Sequence, residues 1–104
     1  MTILLDKKAP NFQLPSTEGK IFNLKSLEGK IIVLFFYPKD DTPGCTAEAT
    51  EFTNYKKEFS KLNTSIIGVS GDSIEKHHKF IFKHNLKIIL LSDIDKKVCT
   101  AYQT

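Results

Sequence analysis

Ile31-Ile32-Val33-Leu34-Phe35-Phe36-Tyr37 is apolar at every position, β-branched at its start and stopped by Pro38. Continuous rather than alternating apolarity marks a strand covered on both faces, as in the centre of an α/β sheet. Beyond it, Lys39-Asp40-Asp41-Thr42-Pro43-Gly44-Cys45 leads into a different pattern. Ala49, Phe52, Tyr55, Phe59 and Leu62 recur every three or four residues with charged residues between them, which predicts one long amphipathic helix.

Working outward, Ser65-Ile66-Ile67-Gly68-Val69 reads as a second strand. Asp72-Ser73-Ile74-Glu75 then opens a second helix, with an acidic N-cap and a glutamate three residues later in capping-box fashion, and Asn85 ends it. A third apolar strand, Ile88-Ile89-Leu90-Leu91, precedes Ser92-Asp93 and a short helix through Val98 and Ala101. Upstream, Phe12-Gln13-Leu14 and Ile21-Phe22-Asn23-Leu24 flank the turn-rich Pro15 to Lys20 and predict a hairpin, while Leu27-Glu28-Gly29-Lys30 turns the chain into the first long strand. The alternation of strand and helix implies parallel pairing through right-handed crossovers and a three-layer α/β/α domain spanning residues 1–104.

Composition narrows the function classes. All 15 basic residues among the 104 are lysines, set against 12 acids for a formal charge of +3. They are scattered rather than concentrated, which argues against a dedicated nucleic-acid binder. Hydrophobic residues at 40% with 11% aromatics suffice for a core. No apolar run reaches the roughly 18 to 20 residues of a bilayer span, and Ile3-Leu4-Leu5 is too short for a signal-peptide core. The expected location is therefore the cytoplasm. Cys45 and Cys99 are too few for a disulfide scaffold, and no zinc-type spacing is present. No metal and no cofactor are expected, and His77, His78 and His84 read as surface decoration of the second helix.

In open parallel sheets ligands gather at the carboxyl ends of the strands, and the central strand delivers the chain to Cys45 there. Thr42 is a good N-cap and Pro43 suits the first helical position, which places Cys45 in the opening turn. The positive end of a helix favours thiolate over thiol and so favours a nucleophile. No Cys-x-x-Cys is present, since Thr42 precedes Cys45 by three residues and Glu48 follows it by three. A dithiol oxidoreductase is therefore disfavoured.

Phe36-Tyr37-Pro38-Lys39-Asp40-Asp41-Thr42-Pro43-Gly44-Cys45-Thr46 resembles the active-site motif of peroxiredoxins, in particular the bacterioferritin comigratory protein (PrxQ) group. The likeness runs from Ala9-Pro10-Asn11-Phe12 through Ile67-Gly68-Val69-Ser70 to Leu90-Leu91-Ser92-Asp93. It implies a thioredoxin-like fold and a peroxidatic role for Cys45, attacking a hydroperoxide and becoming a sulfenic acid. It also implies that the Thr42 hydroxyl bonds the thiolate and the peroxide oxygen, and that Pro38 shields the sulfenic acid. The implied function is an antioxidant peroxidase acting on hydrogen peroxide and organic hydroperoxides.

Two departures from that pattern shape the expectations. The resolving cysteine that many members carry five positions after the peroxidatic one is Thr50 here. Cys99 is the only other thiol, a possible resolver if its Cα can come within roughly 7 Å of that of Cys45. An external reductant, thioredoxin or a small thiol, is the more economical expectation. The second departure is the arginine that peroxiredoxins supply from a later strand, since this sequence has none. Lys39 offers a point charge and not a guanidinium fork. That arginine is expected beyond Thr104, with two more strands and a last helix, so the domain reads as truncated at its C-terminus. The expected assembly is a monomer or weak homo-oligomer, without nucleic-acid or membrane partners. The alternative is a catalytically incompetent fragment with an exposed sheet edge.

Overall fold

The computed structural model describes residues 12–27 and 31–102. The expectations placed on Ile3-Leu4-Leu5, Ala9-Pro10-Asn11, Glu28-Gly29-Lys30 and Gln103-Thr104 lie outside the described residues. The elements run β1 (Gln13–Pro15), β2 (Ile21–Asn23), a 3-10 turn over Leu24–Leu27, β3 (Ile31–Phe36), α1 (Pro43–Asn54), α2 (Lys56–Lys61), β4 (Thr64–Ser70), α3 (Ile74–His84), β5 (Ile89–Ser92) and α4 (Lys97–Ala101).

β3, β4 and β5 pair in parallel in that order, and β1 and β2 form the expected antiparallel hairpin. Side chains alternate between two cores. On one face Phe36, Ile67, Val69 and Leu91 pack with the hairpin's Phe12, Leu14 and Phe22 and with Val98, Cys99 and Tyr102 of the α4 region. On the other, Phe35, Tyr37, Ile66 and Leu90 pack with Ala49 of α1, Phe80 of α3 and Phe59 of α2. The result is the thioredoxin-like three-layer α/β fold. Ile67, Val69, Leu90 and Leu91 are fully buried, each contributing roughly 1.5–3 kcal/mol of burial.

Gly68 sets how closely α1 approaches the sheet. It pairs with both Phe35 and Leu90, and a Cβ there would lie 2.7 Å from Phe35 Cζ and 2.9 Å from Leu90 Cδ2. The bare backbone lets the Phe35 ring lie across β4 and stack on Phe52 of α1, with centroids 4.8 Å apart.

Three details differ from the sequence reading. The central strand of the described sheet is β4, not β3. β3 pairs only with β4 among the described strands, so its first half is open and only Phe35 and Phe36 within it are buried. The outer edge of β5, in contrast, is covered where the Thr17 amide donates to the Leu90 carbonyl at 3.0 Å and Ser16 bridges Leu91. The long helix breaks at Tyr55 (φ −101°, ψ 12°) into α1 and α2, where Thr53 and Asn54 have low helix propensity. Tyr55 and Leu62 consequently face solvent, beside an apolar groove of about 330 Å³ whose other walls include Phe52 and Phe59. Finally, Ser73 and not Asp72 caps α3, its hydroxyl accepting from the Lys76 amide. Asn85 ends that helix in the left-handed conformation, as expected.

Candidate active site

β3 delivers the chain into the 38–42 loop, and the loop turns it into α1. Asp41 takes a left-handed conformation (φ 61°) at the turn, one that aspartate tolerates better than most residues. Thr42 is extended at the N-cap and Pro43 occupies the first turn, as the residue types predict. The first intrahelical bond runs from the Thr46 amide to the Thr42 carbonyl at 2.8 Å. The Gly44 and Cys45 amides precede it, so they are among the donors a helix leaves without intrahelical acceptors. Such amides favour negative charge nearby.

Cys45 is half-buried, its side chain resting against the core that contains Phe35, Tyr37 and Ala49. A Cβ on Gly44 would meet no atom within 4 Å, so the surface next to the cysteine is open. The Thr42 hydroxyl does not cap the helix; it donates to the Lys39 carbonyl at 3.3 Å, leaving its lone pairs unused by that bond. Pro38 and Lys39 are exposed at the loop's entry. The structure therefore gathers Pro38, Thr42 and Cys45 on one loop and helix start.

Behind the loop lies a buried polar network that the sequence pattern did not disclose. His77, read as surface decoration, is fully buried. Its Nε2 donates to the Leu91 carbonyl at 2.8 Å and its Nδ1 faces Asp40 Oδ2 at 2.7 Å. The Tyr37 hydroxyl donates to Asp40 Oδ1 at 2.5 Å. Burial, reinforced by the Asp40 carboxylate, raises the Tyr37 phenol far above its ordinary value, so it remains a neutral donor. The Asp40 amide donates to Asp72 Oδ2 at 2.7 Å, and Ser70 Oγ donates to the same oxygen at 2.7 Å. Donor atoms of Asp40, Asp72 and His77 lie within 4.8 Å of one another, but these hydrogen bonds already engage all three side chains. On the outside, Asp41 accepts from Lys83 Nζ and His84 Nε2, each at 2.7 Å.

A half-buried cysteine in the opening turn of a helix, just past the end of a parallel strand in a thioredoxin-like fold, frames the comparisons with known proteins. The AhpC/TSA family profile matches residues 5–104. The chain belongs to the AhpC/TSA family. Within it, the likeness is to the Bcp/PrxQ peroxiredoxins. The sequence is 49% identical to peroxiredoxin Bcp of Bacillus subtilis over 102 residues, covering 98% of this chain and 65% of that protein. Peroxiredoxin Q of Xanthomonas campestris superposes with a TM-score of 0.84 at 38% identity, over 88% of this chain and 58% of the other. A yeast mitochondrial 1-Cys peroxiredoxin superposes with a TM-score of 0.88 at 31% identity, over 97% of this chain and 51% of the other. The chain thus spans about two thirds of the length of its Bcp relatives.

In this AhpC/TSA chain the second cysteine sits elsewhere. Cys99 is buried in α4 on the hairpin side of the sheet, whereas Cys45 packs on the α1 and α3 side. The sheet stands between the two thiols. The Cys99 amide donates to Asp93 Oδ2 at 2.9 Å and the Val98 amide to Oδ1 at 3.3 Å, so a fully buried carboxylate holds the start of α4. His77 carried one sequence signal that points inward: it shares a helix face with Phe80 and Ile81, three and four residues on.

Proposed function

We propose that the chain carries the peroxide-reducing site of a thiol-dependent peroxidase, with Cys45 as the attacking thiol. The observation that carries this reading is the placement of Cys45 in the opening turn of α1, beside open surface and behind a loop that presents Pro38 and Thr42. The Cys45 thiolate attacks one oxygen of a hydroperoxide and an S–O bond forms as the O–O bond breaks. The sulfur loses two electrons and becomes the sulfenic acid, and water or an alcohol leaves with a proton. Thr42 would hold the peroxide oxygen with its hydroxyl and Pro38 would shield the sulfenic acid. The arginine expected to polarise the peroxide would come from the part of the domain that follows Thr104 in its longer relatives.

The sheet lying between the two thiols favours an external reductant, thioredoxin or a small thiol, over resolution by Cys99. One structural relative is described as a 1-Cys enzyme resolved through glutathione and thioredoxin systems, which supports the same reading here. A cytoplasmic antioxidant role is part of this reading, and none of the described helices is long and apolar enough to cross a membrane. The test is stopped-flow consumption of hydrogen peroxide and of an organic hydroperoxide by the protein and by its Cys45→Ser variant. Peroxide consumption that vanishes in the variant is expected, and equal background rates in both would refute the reading.

A second reading has one observation in its favour. Ile31 is exposed and β3 pairs with no strand but β4 among the described residues, an arrangement that invites pairing between chains. A catalytically silent chain that self-associates through this edge would sediment as a concentration-dependent oligomer. A monomer with a cooperative melt excludes it.

A further inference from the structure

We propose that His77 is a positioning residue for the peroxide-reducing site, holding the 38–42 loop, and with it the start of α1, through its bond to Asp40. The proposal rests on Cys45 being the peroxide-reactive thiol. Its basis is the accounting of protons and acceptors around the imidazole. The Leu91 carbonyl can only accept, so Nε2 carries a hydrogen. Nδ1 therefore shares a single proton with Asp40 Oδ2 across 2.7 Å, the Tyr37 hydroxyl lying farther off at 3.4 Å and donating to Asp40 Oδ1. This pair lies where His77 is fully buried and the Asp40 side chain is 7% exposed. Every polar atom of Asp40 named so far has a partner: Oδ1 takes the Tyr37 hydroxyl, Oδ2 faces His77, and the amide donates to Asp72. Asp40 is the midpoint of the loop between Pro38 and Thr42, and these bonds tie it to Tyr37 at the end of β3, to the β4–α3 connection and to α3.

The same helix grips the loop a second time. Asp41, the left-handed residue, accepts from Lys83 and His84 near the end of α3. A backbone in that region persists when its surroundings over-determine it. The inner anchor is buried and the outer one half-exposed, so His77 is the anchor that water competes with least. α3 touches neither Cys45 nor the substrate side in any bond described above; it acts through the loop.

Two variants separate positioning from plain stabilisation. Asp40→Asn preserves every bond with a neutral imidazole: Asn Nδ2 donates to Nδ1, while Oδ1 still accepts from Tyr37. His77→Gln has no second ring nitrogen with which to bridge Leu91 and Asp40. The readouts are the rate of peroxide reaction at Cys45, the rate of its alkylation by iodoacetamide, and amide hydrogen exchange at Thr46, whose bond to Thr42 closes the first turn. In His77→Gln the ratio of peroxide rate to alkylation rate is expected to fall about 10- to 100-fold, as misplacement of a reacting group does. Thr46 exchange is expected to quicken about tenfold while β4 amides stay protected. In Asp40→Asn both are expected to stay within about threefold of the parent, the range for a retained hydrogen-bond geometry. An unchanged ratio and unchanged Thr46 exchange in His77→Gln, or an equal loss in Asp40→Asn, overturns the proposal. If the parent protein itself does not react with peroxide, the peroxidase reading fails, and the Thr46 exchange alone decides whether His77 holds the loop.

Discussion

Cys45 and Cys99 both lie near the start of a helix, and they differ in burial and in what the amides beside them bond. Cys45 follows Pro43 in the first turn of a twelve-residue helix, half-buried beside an unfilled surface. Cys99 lies in a five-residue helix whose Val98 and Cys99 amides are already taken by the buried Asp93. It sits among Phe12, Phe36 and Tyr102. One helix start is left available to an external anion, and the other is closed by a carboxylate of its own chain. A thiol's chemistry here follows from which donors near it remain unspent, more than from its helical address.

The sharpest way to break this comparison is to label both thiols in the native protein and read each by peptide mass. Cys45 is expected to be alkylated about a hundredfold faster than Cys99, which reacts only through local opening costing about 3 kcal/mol. Comparable rates would mean that α4 opens freely and that burial on the hairpin side protects little.

A smaller effect is expected at the residue that closes α4. Asp93→Ala strands the Val98 and Cys99 amides, at a cost of about 1–3 kcal/mol for buried donors left without an acceptor. Chemical denaturation should show that loss, and Cys99 labelling should accelerate while Cys45 labelling holds. Equal acceleration at both sites would show that Asp93 supports the whole domain and not one helix start.

How far the site was legible from sequence follows the same division between local and distant partners. The Thr42-Pro43 helix start and the Asn85 stop are written in residues adjacent to what they control, and both stand where they were expected. The bonds of His77 were not legible, because its partners lie 14 and 37 residues away in sequence. Asp72 illustrates the point from the other side. Its position before Ser73 looks like a cap, yet its carboxylate serves Ser70 and the Asp40 amide, and Ser73 is left to cap α3. Likewise the all-apolar β3 was expected at the centre of the sheet. In the described sheet β3 is an edge strand beside β4, the exposed edge also expected of an incomplete sheet.

The smallest expected effect concerns the outer strap on the loop. Hydrogen bonds from Lys83 first, and then His84, hold the Asp41 carboxyl below its ordinary value. A carboxyl whose folded value is depressed adds stability that is present above its unfolded value, near pH 4, and is lost as pH falls through the folded one. The melting temperature of the parent should therefore exceed that of Asp41→Asn at neutral pH, and the gap should close as the solution is acidified below about pH 4. Asparagine tolerates the left-handed backbone at this position as well as aspartate does, so the comparison reads charge and not strain. The bonds lie at a half-exposed surface, and added salt should narrow the gap at pH 7. A gap that persists undiminished at low pH would assign the effect to the backbone of the turn and not to the charge of the outer strap.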